Sequence, residues 1–281
     1  WMFYNKKMFD EAGIKYPDAS TTWTDYLEMT KKLTKRNGDK ITQYGATGWN
    51  SWTFPIFQVV WSNGGHMYYD DSMTKVAMDD PKTIEVFQML ADMWLIDKVI
   101  PNPNAPASSP IGLLSDNVAT QADGDYMPGD NLDTWSKKYD YLDATLPPSF
   151  NGKRRNVYWP DSFQINAKTK SPEACYAWMS WFARDPDSTA IQGKIVFPTY
   201  TKAYTDDAIA NKWLSAPYRP QGMITAAREH VKNAQMIRFE PHTSAIDTIY
   251  YNEIGKLWSG EATAEDVLKM ITAEGNDEIG R

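Results

Sequence analysis

Cysteine is almost absent from this 281-residue chain, which contains one, Cys175. A single thiol excludes a disulfide within the chain and any metal cluster built on several cysteines. Long apolar runs are also lacking, and no stretch approaches the roughly 18 apolar residues of a membrane-spanning helix. Cys175 falls in a helical pattern that begins at Ser171, with Trp178 and Trp181 at packing positions. We therefore expect a buried structural thiol in a packed helix.

Sequence motifs of common catalytic sites are missing as well. There is no G-x-S-x-G elbow, no Walker-type phosphate loop and no G-x-G-x-x-G dinucleotide pattern. The three histidines, His66, His230 and His242, have no partners at metal-ligand spacing. None of the 36 acidic residues forms a pair that stands out as the two carboxylates of a glycosidase. We expect a protein that is not an enzyme and that needs neither a metal nor another cofactor.

Clusters of positive charge are also scarce. The formal net charge is −7, and the one compact basic run is Lys153-Arg154-Arg155. Binding to nucleic acid requires basic residues that neutralise phosphates over an extended surface. Three basic residues beside Gly152 are more typical of a solvated turn. The composition therefore excludes nucleic acid as the expected partner.

Aromatic residues, in contrast, are abundant. Trp, Tyr and Phe make up 14% of the chain, with 12 Trp, 16 Tyr and 10 Phe. Such an excess indicates either a thick core or a surface on which a flat ligand stacks. The segment Gly48-Trp49-Asn50-Ser51-Trp52-Thr53 combines flat rings with hydrogen-bonding side chains, as a sugar site requires. From composition alone, a core role for these tryptophans stays equally open.

Periodicity and capping residues predict many helices and a few short strands. Residues 5–13 and 22–38 have helical spacing behind the capping residues Asn5 and Thr22, and Asp80-Pro81 opens a third helix. Residues 44–69 are expected to form a loop-rich aromatic stretch. Further helices are expected over residues 203–214, 220–232, 244–258 and 263–273, and extended segments over residues 139–146 and 156–167. The pattern indicates an α/β fold with more helix than strand.

The opening segment, Phe3 to Ile14, resembles a signature of extracellular solute-binding proteins of the maltose-binding type, which serve carbohydrate ABC transporters. In that family a tyrosine-asparagine-lysine run leads to alanine-glycine, then to proline and threonine-tryptophan. Pro17 and Thr22-Trp23 stand in those places. Other segments resemble the family in order and spacing along essentially the whole chain, namely residues 63–65, 122–126, 163–167, 197–199 and 257–263.

The resemblance implies a two-lobed α/β fold of the class II periplasmic-binding-protein type. In such proteins the lobes close on a solute, and contacts made to both lobes drive the closure. The implied ligand is a carbohydrate, most simply an oligosaccharide, and the implied partners are the permease subunits of an ABC transporter. The implied location is the periplasm or the cell surface, with a lipid anchor as the one attachment to the membrane.

Carried over position by position, the family pattern places ligand contacts in three regions of this chain. They are the aromatic loop, the residue at which the family has a stacking aromatic, and the end of the strand that links the lobes. A fourth contact is expected at His242, just before the helix at Ser244. A lone histidine beside a helix start is, however, more often a structural hydrogen-bond partner. The implied ligand-binding residues are Trp49, Asn50, Ser51, Trp52, Tyr126, Trp159, Asp161, Ser162 and His242.

The division into lobes follows from the same resemblance. Residues 1–146 are assigned to the main part of the second lobe, residues 147–214 to the later part of the first, and residues 215–281 to the C-terminal helices of the second. The family has a long segment before the tyrosine-asparagine-lysine signature that builds most of the first lobe. This sequence lacks a counterpart, so we expect such a portion to precede it in the natural protein. Two alternatives stay open: the same fold binding a non-sugar solute, and a carbohydrate-active enzyme.

Overall fold

Seven strands form two sheets in the part of the chain that the computed structural model describes, residues 1–50, 52–103, 111–159 and 162–280. The strands are β1 (Met2–Asn5), β2 (Lys35–Asn37), β3 (Lys40–Thr47), β4 (Val118–Ala122), β5 (Leu142–Thr145), β6 (Asn156–Tyr158) and β7 (Ala234–Met236). The main sheet has the order β2-β3-β4-β1-β5. Strands β3 and β4 run parallel, whereas the other neighbours in this sheet are antiparallel. The second sheet consists of β6 and β7 in parallel.

Strand β1 lies in the middle of the main sheet, and all four of its residues are buried. Met2 is paired with Ala122 of β4 on one side and with Thr145 of β5 on the other. The apolar run Met2-Phe3-Tyr4 suits a strand whose two faces are both covered. The strand could not be recognised from the sequence, because this run shows no alternation of apolar and polar residues.

Helices dominate the remaining structure, which confirms the prediction of an α/β fold with more helix than strand. The helices are α1 (Lys6–Ala12), α2 (Trp23–Leu33), α3 (Thr53–Asn63), α4 (Pro81–Leu95), α5 (Met127–Asp130), α6 (Leu132–Lys138), α7 (Pro172–Arg184), α8 (Pro186–Gln192), α9 (Lys202–Thr205), α10 (Asp207–Leu214), α11 (Gln221–Lys232), α12 (Thr243–Glu253), α13 (Gly255–Ser259) and α14 (Ala264–Ile279). Among the described residues, no helix combines the length and the apolar character needed to cross a membrane.

The predicted helix starts are confirmed by their capping bonds. The Asn5 side chain accepts a hydrogen bond from the backbone N–H of Met8 at 3.4 Å. Thr22 and Asp25 form a capping box in which each side chain accepts from the other's backbone N–H, both at 3.1 Å. Asp80 accepts from the backbone N–H of the residue two places on, at the start of α4. These bonds satisfy amide groups that a helix end would otherwise leave without partners.

The prediction of a loop over residues 44–69 is wrong in its central part. Strand β3 runs to Thr47, and α3 occupies residues 53–63. Nearly all of α3 is buried, so its sequence has no polar face from which a helical period could be read. The helix ends at Gly64, whose φ of 84° lies in the left-handed region that glycine adopts without strain.

The largest core cluster lies between the main sheet and helices α2, α3, α4, α12, α13 and α14. It contains fully buried rings and branched side chains from each of these elements, including Tyr26, Trp49, Val60, Phe87, Ile246 and Leu268. Smaller clusters lie under β1, β5 and α11 and around α10. The residues of α3 in the largest cluster fix the start of this helix. Trp52 lies directly before that start.

Helix α7 contradicts the expectation of inward packing. None of its 13 residues, all of them described, is buried, and Trp178 and Trp181 are 49% and 46% exposed. Cys175 is partly exposed as well, so the expectation of a buried thiol is wrong. The rings contact mainly one another, with Phe163 edge-on to Trp178 at 5.3 Å and to Phe182 at 4.9 Å. The helical pattern was correct, but no described element covers the apolar face that it creates.

Candidate functional site

A pocket of about 520 Å³ lies between the start of α3 and the segments that follow β4 and β6. Its other wall is built from residues 196–204, the C-terminal end of α11 and the start of β7. This volume falls within the roughly 300–1,000 Å³ of small-molecule sites in proteins. Aromatic side chains dominate the lining: Trp1, Trp52, Phe54, Tyr126, Tyr158, Trp159, Phe163, Phe182, Phe197 and Tyr204.

A continuous row of rings runs along one side of the pocket. The ring centroids of Trp52 and Phe54 are 4.6 Å apart, those of Phe54 and Trp159 are 4.7 Å apart, and Phe239 extends the row 5.0 Å beyond Trp159. Trp52 and Trp159 are 38% and 45% exposed although they are large apolar side chains. Contiguous exposed rings of this kind are typical of surfaces that receive a ligand with flat apolar faces.

Another part of the lining combines rings with one imidazole. His230 stacks on Trp1 with a centroid distance of 4.2 Å, and Trp1 meets Phe197 edge-on at 5.4 Å. Burial, with a further contribution from the positive charge of Arg154, lowers the pKa of His230 well below its usual value, so the ring is neutral at pH 7. Its Nδ1 atom is buried and has no hydrogen-bond partner among the described residues. This part of the lining is therefore apolar and carries no charge.

Two carboxylates also face the pocket, and both are already bound within the protein. Asp123 accepts hydrogen bonds from the Gln121 side chain at 2.9 Å and from the backbone N–H of Gly124 at 2.8 Å. Asp125 accepts from the backbone N–H of Phe197, and burial raises the pKa of this carboxyl. Among the lining residues that the structure describes there is no Lys or Arg. Over the described ranges, no group of three or more His, Cys, Asp or Glu side chains could hold a metal ion.

The structure brings three of the nine predicted ligand-binding residues together. Trp52, Tyr126 and Trp159 line the same pocket although they are more than 100 residues apart at the extremes. Ser51 and Asp161 lie outside the described residues. Ser162 is exposed and does not belong to the lining. All three are aromatic, and their contact with a ligand stays a prediction.

Trp49, Asn50 and His242 do not belong to the described lining of this pocket, and their contact with a ligand stays a prediction. Trp49 is fully buried, and its indole N–H donates to the Tyr26 hydroxyl at 2.8 Å. The Asn50 amide nitrogen is buried without a partner among the described residues. His242 precedes α12, where its Nδ1 lies 3.9 Å from a carboxylate oxygen of Glu278.

Several lining residues were not anticipated from the sequence. Phe54 lies two residues beyond Trp52, and its aromatic type in the same segment was the signal that could have identified it. Phe197 belongs to a phenylalanine-proline-threonine segment that resembles the family, but this resemblance did not indicate a binding site. Tyr204 and His230 carried no local signal, because only the tertiary fold brings α9 and α11 to this wall.

The sequence and the fold of the chain can be compared with those of known proteins. A family model described as bacterial extracellular solute-binding protein matches residues 1–187 of the 281. The chain belongs to this family. The resemblance seen in the opening signature is therefore confirmed, and so is the broader prediction of an extracytoplasmic solute-binding protein.

Curated relatives of this bacterial extracellular solute-binding protein match it over limited stretches. An arabinooligosaccharide-binding protein of Halalkalibacterium halodurans is 32% identical over 98 residues, which is 35% of this chain and 20% of the relative. An sn-glycerol-3-phosphate-binding periplasmic protein of Agrobacterium fabrum is 27% identical over 96 residues, 33% of this chain and 22% of the relative. A maltotriose-binding protein of Pyrococcus abyssi is 25% identical over 193 residues, 66% of this chain and 38% of the relative. The matched stretches thus cover well under half the length of each of these relatives.

Solved structures agree with the fold over nearly the whole chain. An ABC substrate-binding protein of Listeria monocytogenes in complex with cycloalternan superposes with a TM-score of 0.81 at 19% identity, covering 99% of this chain and 69% of that one. The maltose/maltodextrin-binding domain of Bdellovibrio bacteriovorus bound to maltotriose gives 0.73 at 17% identity, covering 100% and 70%. At such identities the likeness concerns the fold, and it confirms the class II periplasmic-binding-protein type.

Proposed function

We propose that this solute-binding protein holds a neutral oligosaccharide in the aromatic pocket and presents it to the permease subunits of an ABC transporter. The observation that carries the proposal is the exposed row Trp52–Phe54–Trp159 beside a pocket whose described lining has no cationic side chain. Sugar rings present apolar C–H faces that stack on such rings, while their hydroxyls bond to neutral polar groups.

The charges around the pocket favour one kind of ligand among those that the relatives' names describe. Two of these relatives are named for oligosaccharides and one for a phosphate ester. A phosphate is normally held by Arg, Lys or a cluster of backbone N–H groups. Here the pocket has two carboxylates and a histidine that burial keeps neutral. A dianionic ligand would find no Lys or Arg among the described lining residues, so the neutral sugars are the better match.

The proposal also covers the division into two moving units, the absence of turnover and the location of the protein. Residues 1–146 and 215–281 form one moving unit, and residues 147–214 belong to the other, with the pocket at their junction. The sugar is bound and released unchanged, so the protein acts without turnover as a periplasmic or lipid-anchored receptor. Ligand contacts made to both units favour the closed state over the open one. The pocket is lined by residues from both sides of residue 147, which supports this arrangement.

A ligand panel tests the proposed function. Maltotriose, an arabinose trisaccharide and sn-glycerol 3-phosphate are titrated by calorimetry, and thermal unfolding is followed with each. A ligand present at 100 times its Kd raises the free energy of unfolding by about 2.7 kcal/mol, which is visible as a higher Tm. We expect one of the neutral trisaccharides to raise the Tm and the phosphate ester to leave it unchanged.

Other outcomes of the panel discriminate the alternatives. Stabilisation by glycerol 3-phosphate alone would show that the pocket serves an anionic solute and would overturn the sugar proposal. Chromatography of the recovered trisaccharide tests for turnover, and shortened products would identify a carbohydrate-active enzyme. Binding with quantitative recovery of intact sugar is the result that the proposal requires.

A further inference from the structure

The turn that carries Tyr126 is tied by a buried junction to the segment that carries Phe197. The Asp125 carboxylate accepts a hydrogen bond from the backbone N–H of Phe197. Close by, the backbone at Gly129 is in direct contact with residues 194–195, where a Cβ atom would lie 2.6 Å from the Cα of Ile195. Each of these contacts joins the segment after β4 to the segment after α8, which are separated by some 70 residues of sequence.

Arg219 completes this junction from a third segment. Its side chain is 5% exposed, and its guanidinium carbon lies 5.4 Å from the Phe197 ring centroid and 5.3 Å from that of Trp213. Its carbonyl oxygen accepts from the Tyr139 hydroxyl at 3.1 Å. Burial lowers the pKa of Arg219 to about 10, and the charge of Asp125 opposes this shift. The guanidinium is thus a buried cation whose nearby buried acid is Asp125.

The junction lies directly behind side chains that line the pocket. Asp125 is itself a lining residue, and its sequence neighbour Tyr126 projects into the same cavity. The ring of Phe197, whose backbone N–H donates to Asp125, lines the same pocket. A single hydrogen bond from a backbone N–H to a side-chain carboxylate therefore joins two segments that each contribute a ring to the pocket lining. Loss of that bond would release the Tyr126 turn from the Phe197 segment.

We propose that Asp125, supported by Arg219, is a positioning residue of the pocket. Its carboxylate joins the Tyr126 turn to the Phe197 segment, and the buried guanidinium balances the charge of that carboxylate across the small cavity that both residues line. The role in ligand binding rests on the proposed function, because it concerns the shape of the same pocket. The mechanical link between the two segments does not depend on which solute is bound.

Amide hydrogen exchange of the ligand-free protein tests the mechanical link. Asp125→Leu removes the acceptor and leaves the Phe197 N–H unbonded, so we expect faster exchange in both segments, residues 124–131 and 194–198. Asp125→Asn retains an oxygen acceptor and is expected to restore most of the protection. Should Asp125→Leu fail to fold, Arg219→Met loosens the same two segments without removing the acceptor. Faster exchange in only one of the two segments would overturn the link.

Asp143→Leu provides the matched control. Asp143 also uses a carboxylate oxygen to anchor a distant backbone N–H, that of Gly222 at 2.9 Å, but it does not line the pocket. We expect this control to speed exchange near the start of α11 and to leave residues 124–131 as in the wild type. Equal loosening of the pocket turn by both variants would show that Asp125 has only a general structural role.

Affinity measurements test the positioning role itself. The probes are maltotriose and an arabinose trisaccharide, titrated at a temperature at which every variant is folded. Loss of the buried acceptor is expected to weaken binding roughly tenfold in Asp125→Leu, less in Asp125→Asn, and not at all in Asp143→Leu. Unchanged affinity in Asp125→Leu would overturn the positioning role. If the wild type binds neither trisaccharide, the proposed function fails while the exchange result still decides the link.

Discussion

Trp49 and Trp52 are three residues apart and have opposite environments. Trp49 is enclosed by Trp23 and Tyr26, with ring centroids 4.8 Å and 5.8 Å away, and its N–H is hydrogen-bonded within the core. Trp52 stands at the start of α3 and packs on one side against Phe54, leaving more than a third of its surface open. The same residue type therefore serves the core in one case and the pocket in the other.

Alanine substitutions at these two positions are expected to have separable effects. Trp49→Ala empties a fully buried site and should lower the free energy of unfolding by about 3–5 kcal/mol. Trp52→Ala removes a stacking face and should weaken trisaccharide binding roughly tenfold with a much smaller loss of stability. Urea denaturation and calorimetric titration measure the two quantities on the same samples. A large drop in Tm with unchanged affinity for Trp52→Ala would make Trp52 a core residue.

His230 is expected to make stability depend on pH. Burial holds the folded-state pKa below the value of 6.5 that applies to the unfolded chain. Above pH 6.5 the ring is neutral in both states, whereas below it the unfolded chain takes up a proton that the folded protein does not. The free energy of unfolding should therefore fall on acidification from pH 6.5, by at most about 1.4 kcal/mol per pH unit.

Comparison with a variant isolates the contribution of this ring. His230→Gln should have a flatter stability profile than the wild type between pH 6.5 and about pH 5, as measured by urea denaturation. His242→Gln, at the surface beside Glu278, is the matched control and should keep the wild-type slope. Parallel profiles for the wild type and His230→Gln would contradict the expected effect.

The sequence led to part of the pocket lining but not to the rest. Ring type and family position coincide at Trp52, Tyr126 and Trp159, which the structure places in one pocket. His230 and Phe197 reach the pocket only through their packing against Trp1, which no local pattern encodes. Trp49 lies in the core, and the sequence could not show this because a tryptophan in a glycine-flanked segment has the same sequence signal in either environment.

At the scale of single elements, α2 depends on its first turn. Thr22 forms a capping box with Asp25. The same turn is bonded to a distant segment, because the N–H of Trp23 donates to the carbonyl of Ser149 at 3.0 Å. Trp23 and Tyr26 then deliver two rings to the core around Trp49. The cap thus sets the helix direction on which the placement of these rings depends.

Thr22→Val is expected to destabilise the protein by about 1 kcal/mol. The substitution keeps the branched shape but removes the hydroxyl that accepts from the N–H of Asp25, so that an amide at the helix start loses its partner. Thr22→Ser preserves the hydroxyl and should stay within a few tenths of a kcal/mol of the wild type. Urea unfolding followed by circular dichroism measures both. Equal stability of Thr22→Val and Thr22→Ser would show that the cap contributes nothing.

Elements with polar boundaries were predictable, and fully buried ones were not. Helices α1, α2 and α4 begin at residues whose side chains bond to backbone N–H groups, and their starts were correctly placed. Helix α3 and strand β1 are enclosed by other elements, so their apolar residues recur without the interruptions that reveal a period. Tertiary packing, which local spacing does not specify, determined both of these elements.

At the scale of the whole molecule, the exposed side of α7 forms an apolar patch outside the pocket. Tyr176, Trp178 and Trp181 are each close to half exposed or more, and the neighbouring α8 adds Ile191. The folded protein should therefore enhance the fluorescence of an anilinonaphthalene sulfonate dye, which normally reports partly unfolded states. We expect Trp178→Gln with Trp181→Gln to remove most of this enhancement without lowering the Tm.

Tyr251→Gln is the matched control for the dye measurement. Tyr251 is 53% exposed on α12, a helix whose other face is buried. Its replacement should leave dye fluorescence close to that of the wild type, because an isolated exposed ring provides little contiguous apolar area. Equal losses from the α7 pair and from the control would locate the dye elsewhere on the protein.

The central position of β1 also governs how the chain acquires its structure. Met2 pairs with residues 120 and 143 positions further along, so the middle of the main sheet closes only through very distant contacts. Loop-closure entropy opposes such contacts until both ends are held, which slows folding compared with helical proteins of similar stability. During synthesis on the ribosome, β1 emerges before either of its neighbours, and more than 140 further residues must follow before both neighbours exist. An early apolar strand without partners is a segment for a chaperone to shield.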